Sequence, residues 1–178
     1  MRSPAQVVRE GPADDPKTPL VVQVSRWDRI KDMGGVLESF VRYVDVPDAG
    51  LGLVGPAVSG VSDDPEGQQL WDETVAAWRS LPHETRKRVY LATIPMDDPV
   101  ENALVINALQ RHAAIVTQKS LAEGFGLTVA EAMWKSRPVV ASARLMDRRP
   151  DRRRRDQPAR RGPARPRGLR RRNRAPAS

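Results

Sequence analysis

The sequence predicts an α/β protein built on a parallel sheet, half of a doubly wound one, and two observations carry that expectation. Short apolar runs at residues 20–25, 50–55, 88–94, 114–118 and 138–142 have the length of buried strands. Each of the first four is followed by a longer amphipathic stretch, so strands and helices alternate as in repeated βα units. A chain of 178 residues has room for one such domain.

The first helix is expected from Asp32, an N-cap residue type, to Val44, with Val36, Leu37, Phe40, Val41 and Val44 recurring at helical spacing. The second, over 66–81, is capped by Asp63 to Pro65 and gathers Leu70, Trp71, Val75 and Trp78 on one side. Trp71 and Trp78 stand seven apart and read as a core stripe. The third spans 99–112 and the fourth 127–135, the latter stopping before Pro138, which cannot continue a helix. Residues 1–19 carry four prolines and read as a linker or entry segment, so the ordered domain is expected to begin at Leu20 and to end near 143. Residues 144–178 turn to Arg, Pro, Ala and Gly with almost no apolar side chain. Such a tail cannot offset the entropy of folding and is expected to be disordered.

The chain's net charge of +8 is unevenly placed. Residues 144–178 hold 15 arginines against 3 aspartates, net +12, which leaves 15 basic against 19 acidic side chains in residues 1–143. A polyanion affinity therefore belongs to the tail. With no aromatic residue on which bases stack, the tail is expected to touch nucleic acid only non-specifically. The absence of cysteine excludes disulfides and thiolate metal sites, and two histidines are too few for a histidine-rich metal cluster. Neither an apolar leader core near the N-terminus nor an apolar run of about 18 residues is present, so a cytoplasmic chain without a membrane partner is expected.

In open α/β sheets, ligands bind outside the carboxyl ends of the strands. After the first strand comes SRWDRIKDMGG, Ser25 to Gly35, with Arg26 and Lys31 placed to grip a diphosphate, one as a planar fork and the other as a mobile point charge. A plain solvated loop is the competing reading. After the fourth strand comes KSLAEGFGLTVAEAMWKSRP, in which Gly124 and Gly126 let the backbone approach a ligand. The amides of Gly126 to Thr128 open the next helix, where unpaired N–H groups and positive potential suit phosphate. Glu123 in that loop can accept hexose hydroxyls, and Glu131, one turn inside the helix, can accept the paired hydroxyls of a ribose. The loop at 94–100 stands where a nucleotide base would lie, with a simple connection as the equal alternative. Asn107 and His112 read as packing or surface residues.

The run from Glu123 to Trp134, EGFGLTVAEAMW, resembles the E-x7-E motif of retaining GT-B glycosyltransferases of the group 1, glycogen-synthase-like kind. Its wider setting, NALQRHAAIVTQKSLAEGFGLTVAEAMWKSRPVVAS with VVQVSRWDRIKD and DDPEG upstream, is similar to the nucleotide-sugar-dependent trehalose synthase branch over about 20–142. The resemblance implies a Rossmann-like C-terminal domain that binds the donor. By position it implies Arg26 and Lys31 on the donor diphosphate and Glu123 facing the donor hexose. It places the amides of Gly124, Phe125, Gly126 and Leu127 beside that sugar, Thr128 near the phosphate and Glu131 on the ribose. No cofactor or metal is expected, because basic side chains and the helix terminus neutralise the departing diphosphate. The implied partners are a nucleotide-sugar donor and a sugar acceptor, and the implied reaction moves glucose from an NDP-glucose to glucose with retention, giving trehalose. A related phosphorylase or a sucrose-type transferase shares the motif.

The family's acceptor-binding domain has no room in this chain, and the resemblance stops near residue 143. An incomplete donor domain is therefore expected, without turnover of its own and with an exposed strand edge and apolar face. Out-of-frame reading of a GC-rich gene yields Arg, Pro, Ala and Gly, which predicts a frameshift close to Ala143. Sequencing the gene checks this: another frame downstream of codon 143 should encode family-like residues, and the lack of one rejects the idea.

Overall fold

The computed structural model describes residues 5–12, 15–58, 65–121 and 127–142. Six strands, β1 (Gln6–Val8), β2 (Leu20–Val24), β3 (Gly50–Pro56), β4 (Val89–Ile94), β5 (Ile115–Gln118) and β6 (Val139–Ala141), form one sheet in the order β1-β4-β3-β2-β5-β6. From β2 onward all neighbours are parallel, with Val21 opposite both Leu51 of β3 and Ile115 of β5. The helices are α1 (Met33–Tyr43), α2 (Pro65–Arg79), α3 (His83–Arg86), α4 (Pro99–His112) and α5 (Leu127–Trp134). The five strands and four long helices expected from periodicity are all present. The arrangement is Rossmann-like.

Both faces of the sheet are covered, as near-continuous apolar strands require. On one face Met33, Val36, Leu37 and Phe40 of α1 and Trp71, Val75 and Trp78 of α2 close over Leu51, Leu53 and Leu91. On the other, Ile106 and Leu109 of α4 meet Val54, Ala92 and Ile94, while Ala132 of α5 meets Leu20, Val22 and Val116. The Trp71 and Trp78 stripe is core as expected, and the Trp78 indole N–H donates to the Val89 carbonyl at 2.9 Å, so its polar edge is not stranded.

Helix ends follow local chemistry. Asp98 caps α4 by accepting from the amides of Val100 and Glu101 at 3.0 Å each, with Pro99 at the first position, where a missing N–H does no harm. Asp32 caps α1 as expected, accepting from the Gly35 amide at 3.1 Å. α5 ends at Trp134, with Ser136 left-handed and Pro138 beyond it. The expected cap of α2 at Asp63 and Asp64 lies outside the described residues, as do residues 144–178.

Two elements depart from the expectation. Residues 1–19 are not simply an entry segment, because Gln6–Val8 adds an antiparallel strand to the outer edge of β4, with Val7 opposite Ala92. Three residues are too few to show alternation; the free edge of β4 creates the strand. Glu10 then clamps the segment to α3 by pairing with Arg86 and, at 2.8 Å, with His83. The hydrogen bond from Arg86 holds the Glu10 carboxyl below the usual carboxylate range. The single-turn α3 was also unexpected, being too short for any apolar period.

One glycine is required by close approach. A Cβ on Gly55 would lie 2.4 Å from Trp27 Nε1 and 2.7 Å from the Ser25 carbonyl oxygen. Trp27 is buried over that gap, donates from Nε1 to the Pro56 carbonyl at 3.2 Å, and meets Trp71 edge-on with ring centroids 4.8 Å apart. The indole thereby ties the loop after β2 down onto β3 and α2. Gly55→Ala forces that loop away, and a cost of about 1–3 kcal/mol is expected from overpacking. Urea unfolding monitored by tryptophan fluorescence should show it as a lower midpoint, and an unchanged midpoint would show that the indole is not seated on Gly55.

Candidate functional site

Strand order reverses direction at β2. The chain moves outward through β3 to β4, then returns across the sheet through α4 to place β5 on the other side of β2. The loops that leave β2 and β5 depart toward opposite faces, and the crevice between them is where such sheets bind ligands. Both motif-bearing stretches of the sequence begin at this point, the first at Ser25 after β2 and the second at Lys119 after β5.

What joins them is the side chain of Gln23, the fourth residue of β2, fully buried on the α1 face. Its Nε2 donates to the Lys31 carbonyl at 2.7 Å and to Ser25 Oγ at 3.2 Å, while its Oε1 accepts from the Lys119 amide at 2.9 Å. One amide therefore sets the distance between the start of one loop and the start of the other. Further bonds follow the same seam: the Leu121 amide donates to the Ile30 carbonyl at 2.7 Å and Ser120 Oγ donates to it at 3.3 Å. Ser142, just past β6, holds Ser120 from the opposite side through its Oγ, which donates to the Ser120 carbonyl at 2.6 Å.

The charged groups sit on this frame. Arg26 stands just beyond β2 with its side chain 75% exposed, and pairs with Asp28 at 3.0 Å. Asp28 also accepts from the Lys31 amide at 2.8 Å, which curls the loop between Asp28 and Lys31. Asp32 takes a left-handed backbone, φ 44 and ψ 51, a conformation that costs on the order of 1–2 kcal/mol outside glycine and that aspartate tolerates better than most. Its carboxylate pairs with Lys119 Nζ at 2.7 Å. A Cβ on Gly35 would fall 2.2 Å from that Nζ and 2.4 Å from Asp32 Oδ2, so the glycine leaves the space the pair occupies.

Beside Arg26 the carboxyl ends of β2, β3 and β4 and the start of α4 enclose a cleft of about 190 Å³, lined by Val24, Ser25, Arg26, Pro56, Met96 and Ile106 among others. The loop expected to face a nucleotide base contributes Ile94 and Met96 to it. Asn102 reaches the same cleft and holds the loop by donating to the Pro95 carbonyl at 3.0 Å.

Of the residues singled out from sequence, Arg26 and Lys31 lie together on the loop after β2. Leu127, Thr128 and Glu131 open α5, with Leu127 and Glu131 exposed and Ala132 directed into the core. Glu123, Gly124, Phe125 and Gly126 lie outside the described residues. Asn107 accepts from Arg111 on the surface of α4, and His112 is exposed, in line with their reading. Gln23 and Lys119 were missed. A glutamine inside the run LVVQV was the available signal for the first, since a polar side chain in a doubly covered strand must find partners. Among the described residues no group of three or more His, Cys, Asp or Glu is placed to hold a metal. No helix among them is long and apolar enough to cross a membrane.

No known protein-family profile matches the chain. It is 42% identical over 130 residues to a trehalose synthase of Rubrobacter xylanophilus, a match covering 72% of this chain and 28% of that protein. A trehalose phosphorylase of Pleurotus pulmonarius is 28% identical over 152 residues, covering 79% of this chain and 20% of its own length. The chain thus spans under a third of the length of these relatives. Among solved structures, the C-terminal domain of a group 1 family glycosyl transferase, LpcC of Francisella tularensis, superposes with TM-score 0.54 at 21% identity, covering 75% of this chain and 62% of that one. Anabaena Alr3699/HepE, in complex with UDP and glucose, superposes with TM-score 0.54 at 22% identity, covering 71% of this chain and 30% of its own. Identity to the trehalose synthase, the EGFGLTVAEAMW motif and the shared fold together place this chain among the GT-B glycosyltransferases of the group 1 kind.

Proposed function

We propose that the described domain is the donor-binding part of a retaining glucosyltransferase and holds the nucleoside diphosphate of an NDP-glucose in the crevice between β2 and β5. What supports this reading is that the loop bearing Arg26 and Lys31, the start of α5 and an apolar cleft all lie at the carboxyl ends of the strands around the reversal at β2. The cleft of about 190 Å³ beside Arg26 takes the base against Met96 and Ile106. Arg26 and Lys31 take the diphosphate, as a fork and a point charge respectively. The amides of Leu127 and Thr128 that open α5 add donors and positive potential for the same phosphates, and Glu131 accepts the ribose hydroxyls.

In this reading the protein's chemical contribution is electrostatic. Bond cleavage at the anomeric carbon leaves charge on the departing diphosphate, and cations already fixed around it stabilise that charge without reorganising. No metal is needed for this step. The trehalose synthase relative favours glucose as the acceptor. The phosphorylase relative supports a second reading, in which the same donor half serves the breakdown of trehalose. Nucleotide binding is the step that the described residues would carry in either case, so binding is the property to measure.

Calorimetric titration of the full chain with UDP, ADP, GDP and their glucose conjugates, at about 150 mM salt to suppress contacts with residues 144–178, tests the assignment. One nucleotide series should bind, and Arg26→Ala and Glu131→Ala should each weaken it about tenfold or more, the loss of one hydrogen bond to a charged group. Tight binding that neither change affects contradicts the site.

A further inference from the structure

We propose that Lys119 is a third cation of the diphosphate site, held by Asp32 until the donor arrives. The inference rests on the donor-site reading above and adds a residue that the E-x7-E motif and the Arg26 and Lys31 pair do not include.

Three observations lead to it. First, the Lys119 amide, just past β5, and the Lys31 carbonyl, just before α1, are bonded to opposite ends of the same buried Gln23 amide, so the backbone of the two lysines is held to one group at the carboxyl end of β2. Second, the Lys119 side chain does not run out into solvent. It lies 35% exposed and reaches 2.7 Å from the carboxylate of Asp32, the residue that follows Lys31. Third, the structure makes room for this pair at two positions. Asp32 is left-handed, and Gly35 lacks the side chain that would occupy the position of Nζ.

Charge explains the use of such a pair. The Asp32 carboxylate sits at the start of α1 beside Lys31, and without a counterion it would repel a diphosphate gripped there. Lys119 cancels that charge in the empty site. A lysine ammonium on a four-carbon stem is a point charge that can turn from a carboxylate to a phosphate without moving the backbone, which Gln23 holds fixed. The ammonium need not leave Asp32 to do so: with three N–H donors it can bond a phosphate oxygen and stay beside the carboxylate, which also accepts from the Gly35 amide.

The full chain, its Lys119→Met, Lys119→Gln and Lys119→Arg variants and Asp32→Asn are titrated with UDP and UMP, ADP and AMP, and GDP and GMP, and thermal unfolding confirms that each variant is folded. In the series that binds, Lys119→Met and Lys119→Gln should lower diphosphate affinity about tenfold and leave the monophosphate within about twofold, because the added charge acts on the outer phosphate. Lys119→Arg should restore most of the loss. Asp32→Asn, which keeps a capping side chain and releases the lysine, should leave diphosphate affinity equal or raise it. The proposal is overturned if diphosphate affinity survives removal of the cation, if mono- and diphosphate affinities fall together, or if Asp32→Asn weakens the diphosphate as much as Lys119→Met. Those results with a binding wild type leave the donor site standing, whereas a wild type that binds no nucleotide overturns both.

Discussion

The side-chain amide of Gln23 is the constraint on which the geometry of the crevice depends. It is fully buried and spends its hydrogen-bonding groups on the Lys31 carbonyl, Ser25 Oγ and the Lys119 amide, in segments separated by nearly a hundred residues. Each of these contacts contributes about 0.5–1.5 kcal/mol, but removing the amide would strand backbone groups at about 1–3 kcal/mol each. Strand pairing alone sets only where β2 and β5 lie. The buried amide sets where the loops beyond them begin, and those loops carry the charged side chains.

Around that amide, a second constraint keeps the loop after β2 from swinging. Trp27 is seated over Gly55, bonded to Pro56 and packed edge-on against Trp71, so the residues on either side of it are fixed from the core outward. Arg26, on the outer side, extends toward the cleft between β2, β3 and β4; Asp28, on the inner side, turns the chain back into α1. A site that binds a polyanion gains from this arrangement because its cations are held near their working positions before the ligand arrives. The carboxylates of Asp28 and Asp32 limit mutual repulsion among the cations in the empty state.

How much of this was legible beforehand differs by element. The long strands and helices follow directly from apolar periodicity, and Asp32 and Pro138 mark their ends because capping and proline chemistry act within a few residues. β1 was not legible, since its three residues gain their structure from the edge of β4. Arg26 and Lys31 could be named from their position after a strand. Lys119 stands inside the quoted motif, yet nothing in its spacing indicates that it pairs with Asp32, because that pairing arises only when β5 is laid beside β2. Gln23 was visible as a polar residue in an apolar run, but its partners lie in two loops whose proximity is a product of the fold. Among the described residues, Val140 of β6, Leu104 of α4 and Trp134 of α5 are exposed, the last at 90%.

The central claim is that the crevice between β2 and β5 receives a nucleotide sugar. Its most direct test is ¹H–¹⁵N correlation NMR of the full chain during titration with UDP-glucose and ADP-glucose. One donor should shift the amides of Arg26, Lys31, Lys119, Leu127, Thr128 and Glu131 together, along one saturable curve. Shifts confined to the arginines of residues 144–178, with those six amides unmoved by either donor, would contradict it.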